Sequence, residues 1–536
     1  LLALYISFSE SAANPNLRGE HVRPAGGAGT AVRRNGSDGA IYGGRRAAFW
    51  RRALSCLLSA ALMVQPVAAE TLKEAMRSAY RYNPQLDAER ARLRATDEGV
   101  PQAASGYRPT VRGTADFGRH SLSTKPSSTS AGESSPWGYS ITARQEIFSG
   151  FRTESAVGEA ESSVRAGRQN LAQVEGRTLL DTVTAYTDVV RDTQVLRLRE
   201  QNVAVLTREL EAAEARRAAR EVTLTDVAQA RARRARAVSA ADLSKAKLRI
   251  ARANYQKVVG HAADAVGAPG VPEQRLPRSL ADALETAGQE SPNIISALYR
   301  EQAARHAVDR VRGELLPEVS LEASYNQRYD LSESYDEQNS ASITGRVSVP
   351  LYEGGLVHSR VRQAKHEHVG RLQEIEQARA ETEANVSTAW SRLVAARAQI
   401  RSDEVQVEAA RVALDGVREE EKVGQRTLLD VLNAEQEYLD AQVARVETER
   451  DLVVAAYALL FTTGRLTAAA LDLDNEVYDE TRHYAEVRDK WVGTTIADEP
   501  VIRAAPPQAP AAARLRLRGA IDDEQPAVPR LRDLLR

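Results

Sequence analysis

Two long blocks of this 536-residue chain contain no proline, and they constrain the fold more than any other feature. One block runs over residues 137–268 and the other over residues 351–499. Both are rich in Ala, Arg, Glu, Leu and Gln, which favour helices, and their apolar residues recur at helical spacing. A helix over 153–217 would span about 100 Å at about 1.5 Å per residue. So long a helix suits a coiled coil, a spacer or a tunnel wall rather than a small globular domain.

The two blocks belong to two copies of one unit. Landmarks around the helices recur at nearly fixed offsets: Thr71-Leu72, Pro84 and Pro109 return as Ser279-Leu280, Pro292 and Pro317, and Thr223–Val227 returns as Thr427–Val431. This self-similarity predicts a tandem duplication, with a first repeat over 70–268 and a second over 269–470. An extension over 471–498 and a disordered tail over 499–536, rich in Pro, Ala and Arg, are expected to follow.

Each repeat also contains two segments in which apolar and polar residues alternate. They predict strands over 107–117 and 138–148 in the first copy, and over 317–327 and 341–351 in the second. Each segment has about 10 residues, the length of a tilted transmembrane strand. A membrane β-barrel strand alternates in this way, but so does a soluble sheet that covers a core. Since four strands cannot close a membrane barrel, the barrel alternative requires several chains to share one.

The N-terminal region predicts export. Residues 1–44 lack periodicity and are expected to be disordered or untranslated. A basic cluster, an apolar stretch and the small residues before Glu70 then follow in the order of a secretory signal peptide over 45–69. The lone Cys56 lies inside this segment, ahead of most of the apolar stretch, which argues against lipidation there. A mature chain without cysteine fits the bacterial periplasm or outer membrane.

Composition and motifs exclude several classes of function. Lys+Arg total 72 and Asp+Glu total 73, so there is no basic excess that would suit nucleic acid. The sequence contains no phosphate-binding loop, no HExxH motif and no nucleophile–base pair. His366 and His368 are two residues apart, so on a helix they point to different sides and cannot share a metal ion. The sequence therefore predicts no enzyme, no cofactor and no metal site, and energy for any transport must come from a partner.

The segment Val423–Glu435, which reads VGQRTLLDVLNAE, completes a recognisable combination. Together with the signal peptide and the duplicated units, it resembles the TolC family of outer-membrane channels of type I secretion and drug efflux. The resemblance covers about residues 70–470. It implies a mainly α fold with a membrane β-barrel portion. Long α-helical hairpins in tandem repeat would form a periplasmic tunnel, and four strands per chain would contribute to a barrel shared by a homotrimer.

The resemblance also implies where the protein works and with which partners. It predicts a location in the outer membrane and periplasm of a Gram-negative bacterium, with lipid around the barrel. The partners would be a periplasmic adaptor (membrane fusion) protein and an inner-membrane ABC or proton-driven pump. Type I secretion is the favoured function, with drug efflux, a periplasmic adaptor and a coiled-coil envelope protein as alternatives. The exported substrate is not specified by these patterns.

Two loop-to-helix transitions supply the candidate site residues. Thr225-Asp226 and Thr427-Asp430 stand where hydroxyls and carboxylates cap helix N-termini. The resemblance implies a further role, in which Asp430 faces the pore in an acidic ring near a periplasmic iris. Arg426 would then help to hold that iris shut.

Two positions near this segment depart from the family pattern. Asn433 stands where a second acidic residue is found, and Glu421 stands where a gate tyrosine is found. The first departure predicts a weaker cation-binding ring, because each chain contributes one carboxylate instead of two. The second predicts that the gate differs in detail.

Overall fold

The computed structural model describes residues 69–122, 132–332, 335–473 and 477–496. The predicted leader, all but the last residue of the predicted signal peptide, and the predicted tail lie outside these ranges. The helices are α1 Leu72–Tyr82, α2 Pro84–Asp97, α3 Gly99–Ala104, α4 Arg152–Ala218, α5 Leu224–Val259, α6 Leu280–Glu290, α7 Pro292–Arg312, α8 Leu356–Lys422, α9 Leu428–Thr462 and α10 Arg482–Val487. The strands are β1 Thr110–Phe117, β2 His120–Leu122, β3 Gly132–Ser134, β4 Trp137–Phe148, β5 Glu318–Ser332 and β6 Tyr335–Ser348.

The long helices α4 and α8 set the dimensions of the molecule. Each has 67 residues, or about 100 Å, which confirms the length predicted from the proline-free blocks. Each begins beside the sheet and, at its far end, turns back into an antiparallel partner, α5 or α9. The remaining part of each long helix packs against shorter helices, among them α2 and α7. The sheet therefore lies at one end of the long helices, and the two hairpin ends lie at the other end.

Equivalent elements follow one another in both halves of the chain. The N-cap residues Thr71 of α1 and Ser279 of α6 both accept a hydrogen bond from the third helical residue. Pro84 and Pro292 both occupy the first position of the next helix, where the missing N–H costs nothing. Most landmarks that recur in the sequence are thus the starts of helices, whereas Pro109 and Pro317 directly precede the strands β1 and β5.

The four long strands form one antiparallel sheet in the order β1-β4-β5-β6. Its register brings apolar residues into rows, one of which is Val111, Ala143, Ala323 and Ile343. This apolar face is not covered by the chain, since Val111 is 70% and Ile343 is 78% exposed. A soluble sheet would bury such a face against a core, so the exposure favours the barrel alternative. Within the described ranges, β1 and β6 each pair on one side only.

The strands differ from the predicted ones at several ends. β5 continues to Ser332 and β6 starts at Tyr335, so the ladder extends past the predicted limits of 327 and 341. Alternation of apolar and polar residues reveals only the part of a strand that has an apolar face. Backbone hydrogen bonding between strands continues beyond it, where the side chains of both faces are polar. β6 ends at Ser348, before Pro350, which has no N–H to donate. Between the predicted strands over 107–117 and 138–148 lie the short strands β2 and β3, which the pattern did not predict.

The main core lies around the middle of α4, where helices of both halves meet, and this level of the molecule is here named the waist. Tyr186 and Tyr255 are fully buried there, and their hydroxyls donate to the Glu70 carbonyl oxygen (2.7 Å) and carboxylate (2.6 Å) respectively. A second cluster contains Leu459 of α9 and Leu393 of α8. Helix α9 contributes to both clusters and so ties the two halves together. In the part of the chain that the structure covers, no helix has a segment long and apolar enough to cross a membrane.

Candidate functional site

The two hairpin ends lie side by side, far from the sheet. Leu432 of α9 is buried against Leu206 of α4 and Ala237 of α5. Leu428, at the first position of α9, packs against a second apolar cluster that contains Val227. The end of the second hairpin therefore rests on the first through apolar contacts. This arrangement brings the candidate residues of both copies to the same end of the molecule.

Each hairpin end contains a capping box. The Thr427 hydroxyl accepts from the Asp430 N–H (3.3 Å), while the Asp430 carboxylate accepts from the Thr427 N–H (3.0 Å) and hydroxyl (2.8 Å). Thr223 and Asp226 repeat these contacts at 3.2, 2.9 and 2.7 Å. The predicted capping role of both aspartates is confirmed. The first-copy hydroxyl is that of Thr223, however, and Thr225 is exposed at the second helical position.

The prediction that the Thr225 hydroxyl caps α5 was wrong for a geometric reason. An N-cap residue needs extended backbone just before the first helical residue, and Thr223 has φ −84° and ψ 165° directly before Leu224. Thr225 already lies inside the helix, so its hydroxyl cannot reach the free N–H groups of the first turn. Two threonines separated by one residue made the assignment ambiguous in the sequence.

Hydrogen bonding keeps both aspartates charged. The N–H and hydroxyl of Thr427, with a smaller contribution from the Arg426 charge, hold the pKa of Asp430 below its usual 3.8. The Thr223 hydroxyl and N–H lower the pKa of Asp226 in the same way. Each hairpin end thus carries a half-exposed carboxylate that is negative throughout the physiological pH range.

These shifts predict a loss of order at the start of α9 in acid. Because the pKa of Asp430 is lowered by folding, its stabilising contribution is complete above 3.8 and is lost as pH falls through the lowered pKa. Hydrogen-exchange mass spectrometry of the α8–α9 turn, corrected for intrinsic rates, should show weakening protection below that pH. Asp430→Asn is the control and should lack this dependence. An identical acid transition in the variant would contradict the assignment to Asp430.

Two polar contacts join the hairpin ends to each other. Arg216 of α4 forms an ion pair with Glu421 of α8. The Arg233 guanidinium of α5 donates to the Asn433 amide oxygen of α9 (2.7 Å). Asn433 and Glu421, the two positions singled out from the sequence, each contact an arginine of the other hairpin.

The sequence patterns missed these contacts. Taken alone, the arginines at 231, 233, 234 and 236 are typical of a solvated helix face or an adaptor contact, and the glutamates at 419–421 are typical of a helix surface. The signal that could have revealed them is the contrast between the copies, since the first end is rich in arginine and the second in glutamate. Opposite charges at equivalent positions of adjacent copies are typical of a contact between them.

Arg426 makes its contact within its own hairpin. Its Nε donates to a Glu420 carboxylate oxygen (2.8 Å), and both side chains are about half exposed. Nearby, Arg418 pairs with Glu435, whose carboxyl is buried and has a raised pKa because of that burial. Within the described ranges no group of three side chains is arranged to hold a metal ion. The site therefore consists of charged and hydrogen-bonding side chains around two helix turns.

Comparison with known proteins decides the family. The sequence profile described as outer membrane efflux protein matches residues 75–261 and 283–465. The chain belongs to the outer membrane efflux protein family. Outer membrane efflux protein BepC of Brucella suis is 39% identical over 83% of this chain and 97% of its own length. Outer membrane protein TolC of Escherichia coli is 25% identical over 76% of this chain and 83% of its own length.

Solved structures of outer-membrane channels share the fold of this efflux-family chain. The CmeC outer membrane channel of Campylobacter jejuni superposes with a TM-score of 0.68 at 15% identity, covering 78% of this chain and 89% of its own. The outer membrane protein VceC of Vibrio cholerae gives a TM-score of 0.64 at 19% identity, with coverages of 73% and 96%. The fold is a helical tunnel with a β-barrel portion, and the protein is located in the Gram-negative outer membrane. These findings confirm the resemblance stated from the sequence.

Proposed function

We propose that this chain is one subunit of a homotrimeric channel-tunnel that exports proteins or small molecules across the periplasm and outer membrane. The sheet carries this proposal, because its apolar face is exposed and its edge strands β1 and β6 lack outer neighbours in the described part of the chain. Open edges are not tolerated in lipid. Three chains would together supply about twelve strands, and bacterial barrels close from about eight.

The proposed trimer would take its energy from other proteins. No nucleotide-binding loop is present in the sequence, so a passive tunnel needs an inner-membrane ABC or proton-driven pump. A periplasmic adaptor protein would join the pump to the hairpin ends. Transport is the activity described for the family, and this division of labour agrees with it.

We assign the periplasmic entrance to the hairpin ends. Threefold symmetry would bring three Asp430 carboxylates into a ring that attracts cations, with Arg426 and Asn433 beside it. Asp226 and Thr225 would occupy the corresponding place on the first hairpin. The contacts Arg216–Glu421 and Arg233–Asn433 would hold the two hairpin ends together and the entrance closed.

Two kinds of cargo have support among the relatives. Type I secretion of proteins, which the sequence favours, has support from the alkaline protease secretion protein AprF of Pseudomonas aeruginosa, 28% identical over 41% of this chain. Small-molecule efflux is the second candidate, and its support is the similarity to the outer membrane efflux protein BepC, which matches along 97% of its length. Deletion of the gene followed by a comparison of secreted proteins and drug sensitivity would separate them.

Planar-bilayer recording tests the proposed channel and its acidic ring. The wild-type trimer should conduct, and multivalent cations added on the periplasmic side should block it. Asp430→Asn should raise the blocking concentration at least about tenfold, since one charge pair at 4 Å is worth about 1 kcal/mol even in water and three carboxylates act together.

Asp226→Asn is the matched control, because it removes the equivalent charge from the first hairpin end. The blocking concentration should rise less for Asp226→Asn than for Asp430→Asn, because the ring is assigned to the second hairpin end. If Asp430→Asn leaves the cation block unchanged, the acidic ring lies elsewhere. If folded trimer does not conduct, the proposed channel is wrong.

A further inference from the structure

The segment over residues 477–496, here named the C-terminal strap, is tied to the body of the chain at several points between Tyr478 and Trp491. Its first contact is with α1, where the Tyr478 N–H donates to the Tyr80 hydroxyl (3.0 Å). The Arg90 guanidinium of α2 lies 4.7 Å from the Tyr80 ring centroid and 5.0 Å from that of Tyr478. Cation–π contacts on both rings hold the strap in place at this point.

The next contacts lie closer to the sheet. His483 Nδ1 is 3.0 Å from the buried Asp97 carboxylate at the end of α2. The Tyr484 hydroxyl donates to Glu161 (3.3 Å), in the third turn of α4. At about 1.5 Å per residue, Glu161 is only about 14 Å from the start of α4 beside the sheet. The strap therefore runs from the waist towards the sheet along two different elements.

The last contacts of the strap with the body lie just before β1. The Arg108 guanidinium donates to the Lys490 carbonyl oxygen (2.8 Å) and lies 4.8 Å from the Trp491 ring centroid. Arg108 precedes the first residue of β1 by two positions. Trp491 is held by these contacts and yet is 68% exposed. A large apolar ring is thus fixed at the junction between helices and sheet without being buried by its own chain.

Exposed apolar side chains accompany all four long strands at this same end. They are Tyr107 before β1, Phe151 after β4, Leu316 before β5 and Tyr352 after β6, with exposures of 56%, 58%, 40% and 86%. Trp and Tyr concentrate at membrane–water interfaces, where the ring meets acyl chains and the polar edge meets headgroups. Trp491 joins this row although it comes from a part of the sequence more than a hundred residues beyond β6.

We propose that Trp491 is a membrane-interface anchor, and that the C-terminal strap delivers its indole to the phospholipid headgroup layer of the periplasmic leaflet. The cationic Arg108 beside it suits the phosphate-rich layer, and its stem can lie along the indole. This inference rests on the membrane position of the sheet and adds a lipid-binding surface outside the strands.

Tryptophan fluorescence tests the anchor because the chain supplies its own controls. Downstream of Glu70 the tryptophans are Trp137, Trp390 and Trp491. A variant with Trp137→Phe and Trp390→Phe, reconstituted as a trimer into phosphatidylcholine vesicles, leaves Trp491 as the reporter. Lipid brominated near the headgroup should quench its emission several-fold more than that of a Trp390-only variant. Trp390 lies about 50 Å along α8 from the sheet.

Two further variants control for misfolding of the double variant and for an incorrect assignment of the sheet to the membrane. Trp491→Phe, with the other two tryptophans kept, should lose a matching fraction of the lipid quenching. A Trp137-only variant reports on the far end of β4 and should also be quenched by lipid. Quenching of Trp137 but not Trp491 would overturn the anchor and leave the channel standing.

Three other quenching results would contradict the proposed anchor. If aqueous acrylamide but not lipid quenches Trp491, the indole lies in water and the anchor is wrong. If neither quenches it, a neighbouring subunit covers the indole and the anchor is again wrong. If lipid quenches neither Trp137 nor Trp491 in folded trimer, the sheet is outside the bilayer and the proposed channel fails as well.

Discussion

Replacing Gly464 with alanine should lower the thermal midpoint of the folded protein much more than replacing Gly260, its counterpart in the first copy. Both glycines follow long helices and have positive φ angles, +79° and +98°. A Cβ atom at Gly464 would lie 2.4 Å from the carbonyl oxygen of Glu290, the last residue of α6. At Gly260 the nearest atom would be the Tyr82 Cβ at 3.7 Å, an ordinary contact.

Both substitutions introduce backbone strain, but only Gly464→Ala also introduces a steric clash. Left-handed backbone costs a residue with a Cβ about 1–2 kcal/mol, and this applies at both positions. Overpacking against a backbone that cannot move adds about 1–3 kcal/mol at Gly464 alone. The displacement would also disturb the neighbouring bidentate pair of Arg465 with Glu290, at 2.8 and 2.9 Å. Gly464→Ala therefore acts where α9 meets the junction of α6 and α7.

The measurement is the apparent thermal midpoint of detergent-solubilised protein at one fixed scan rate, because unfolding of so large an assembly is expected to be irreversible. Gly260→Ala serves as the control for backbone strain. Equal shifts for the two variants would show that crowding at Glu290 relaxes at little cost, contrary to this prediction.

Removing both contacts between the hairpin ends should favour the open channel. The double variant Glu421→Ala with Arg233→Ala eliminates the Arg216–Glu421 ion pair and the Arg233–Asn433 hydrogen bond. Contacts between partly exposed groups are each worth about 0.2–1 kcal/mol, so their joint loss should shift the gate equilibrium about 2-fold to 30-fold towards the open state. Single-channel recording should show higher conductance or longer openings.

A control for this variant lies farther from the hairpin end. Arg199 of α4 is 3.9 Å from Asp440 of α9, so it joins the same two hairpins through the same kind of pair. Arg199→Ala should leave conductance near the wild-type value. If the double variant also conducts like the wild type while Asp430→Asn still alters cation block, the two contacts do not gate the channel.

Local patterns revealed much of the fold. The absence of proline and the apolar spacing predicted α4 and α8, because helix formation depends on neighbours within one or two turns. Alternation predicted the four long strands for the same reason. The repeated cap residues marked where helices begin, and Asp226 and Asp430 were correctly expected to cap them.

Other features depend on residues that are distant in the sequence. The Arg233–Asn433 contact joins side chains 200 positions apart, and no periodicity connects them. The strands β2 and β3 pair across a loop whose sequence lacks apolar alternation. The choice of Thr223 over Thr225 depended on where the chain leaves the preceding hairpin turn.

The sequence by itself determined the long helices, the duplication, the two-faced strands and the family, since each follows from order along the chain. Only the tertiary structure decided how the two hairpin ends touch and where the C-terminal strap carries Trp491. The physical reason is that side-chain contacts between separate elements depend on how helices pack. That packing comes from many weak apolar contacts whose sum no short segment contains.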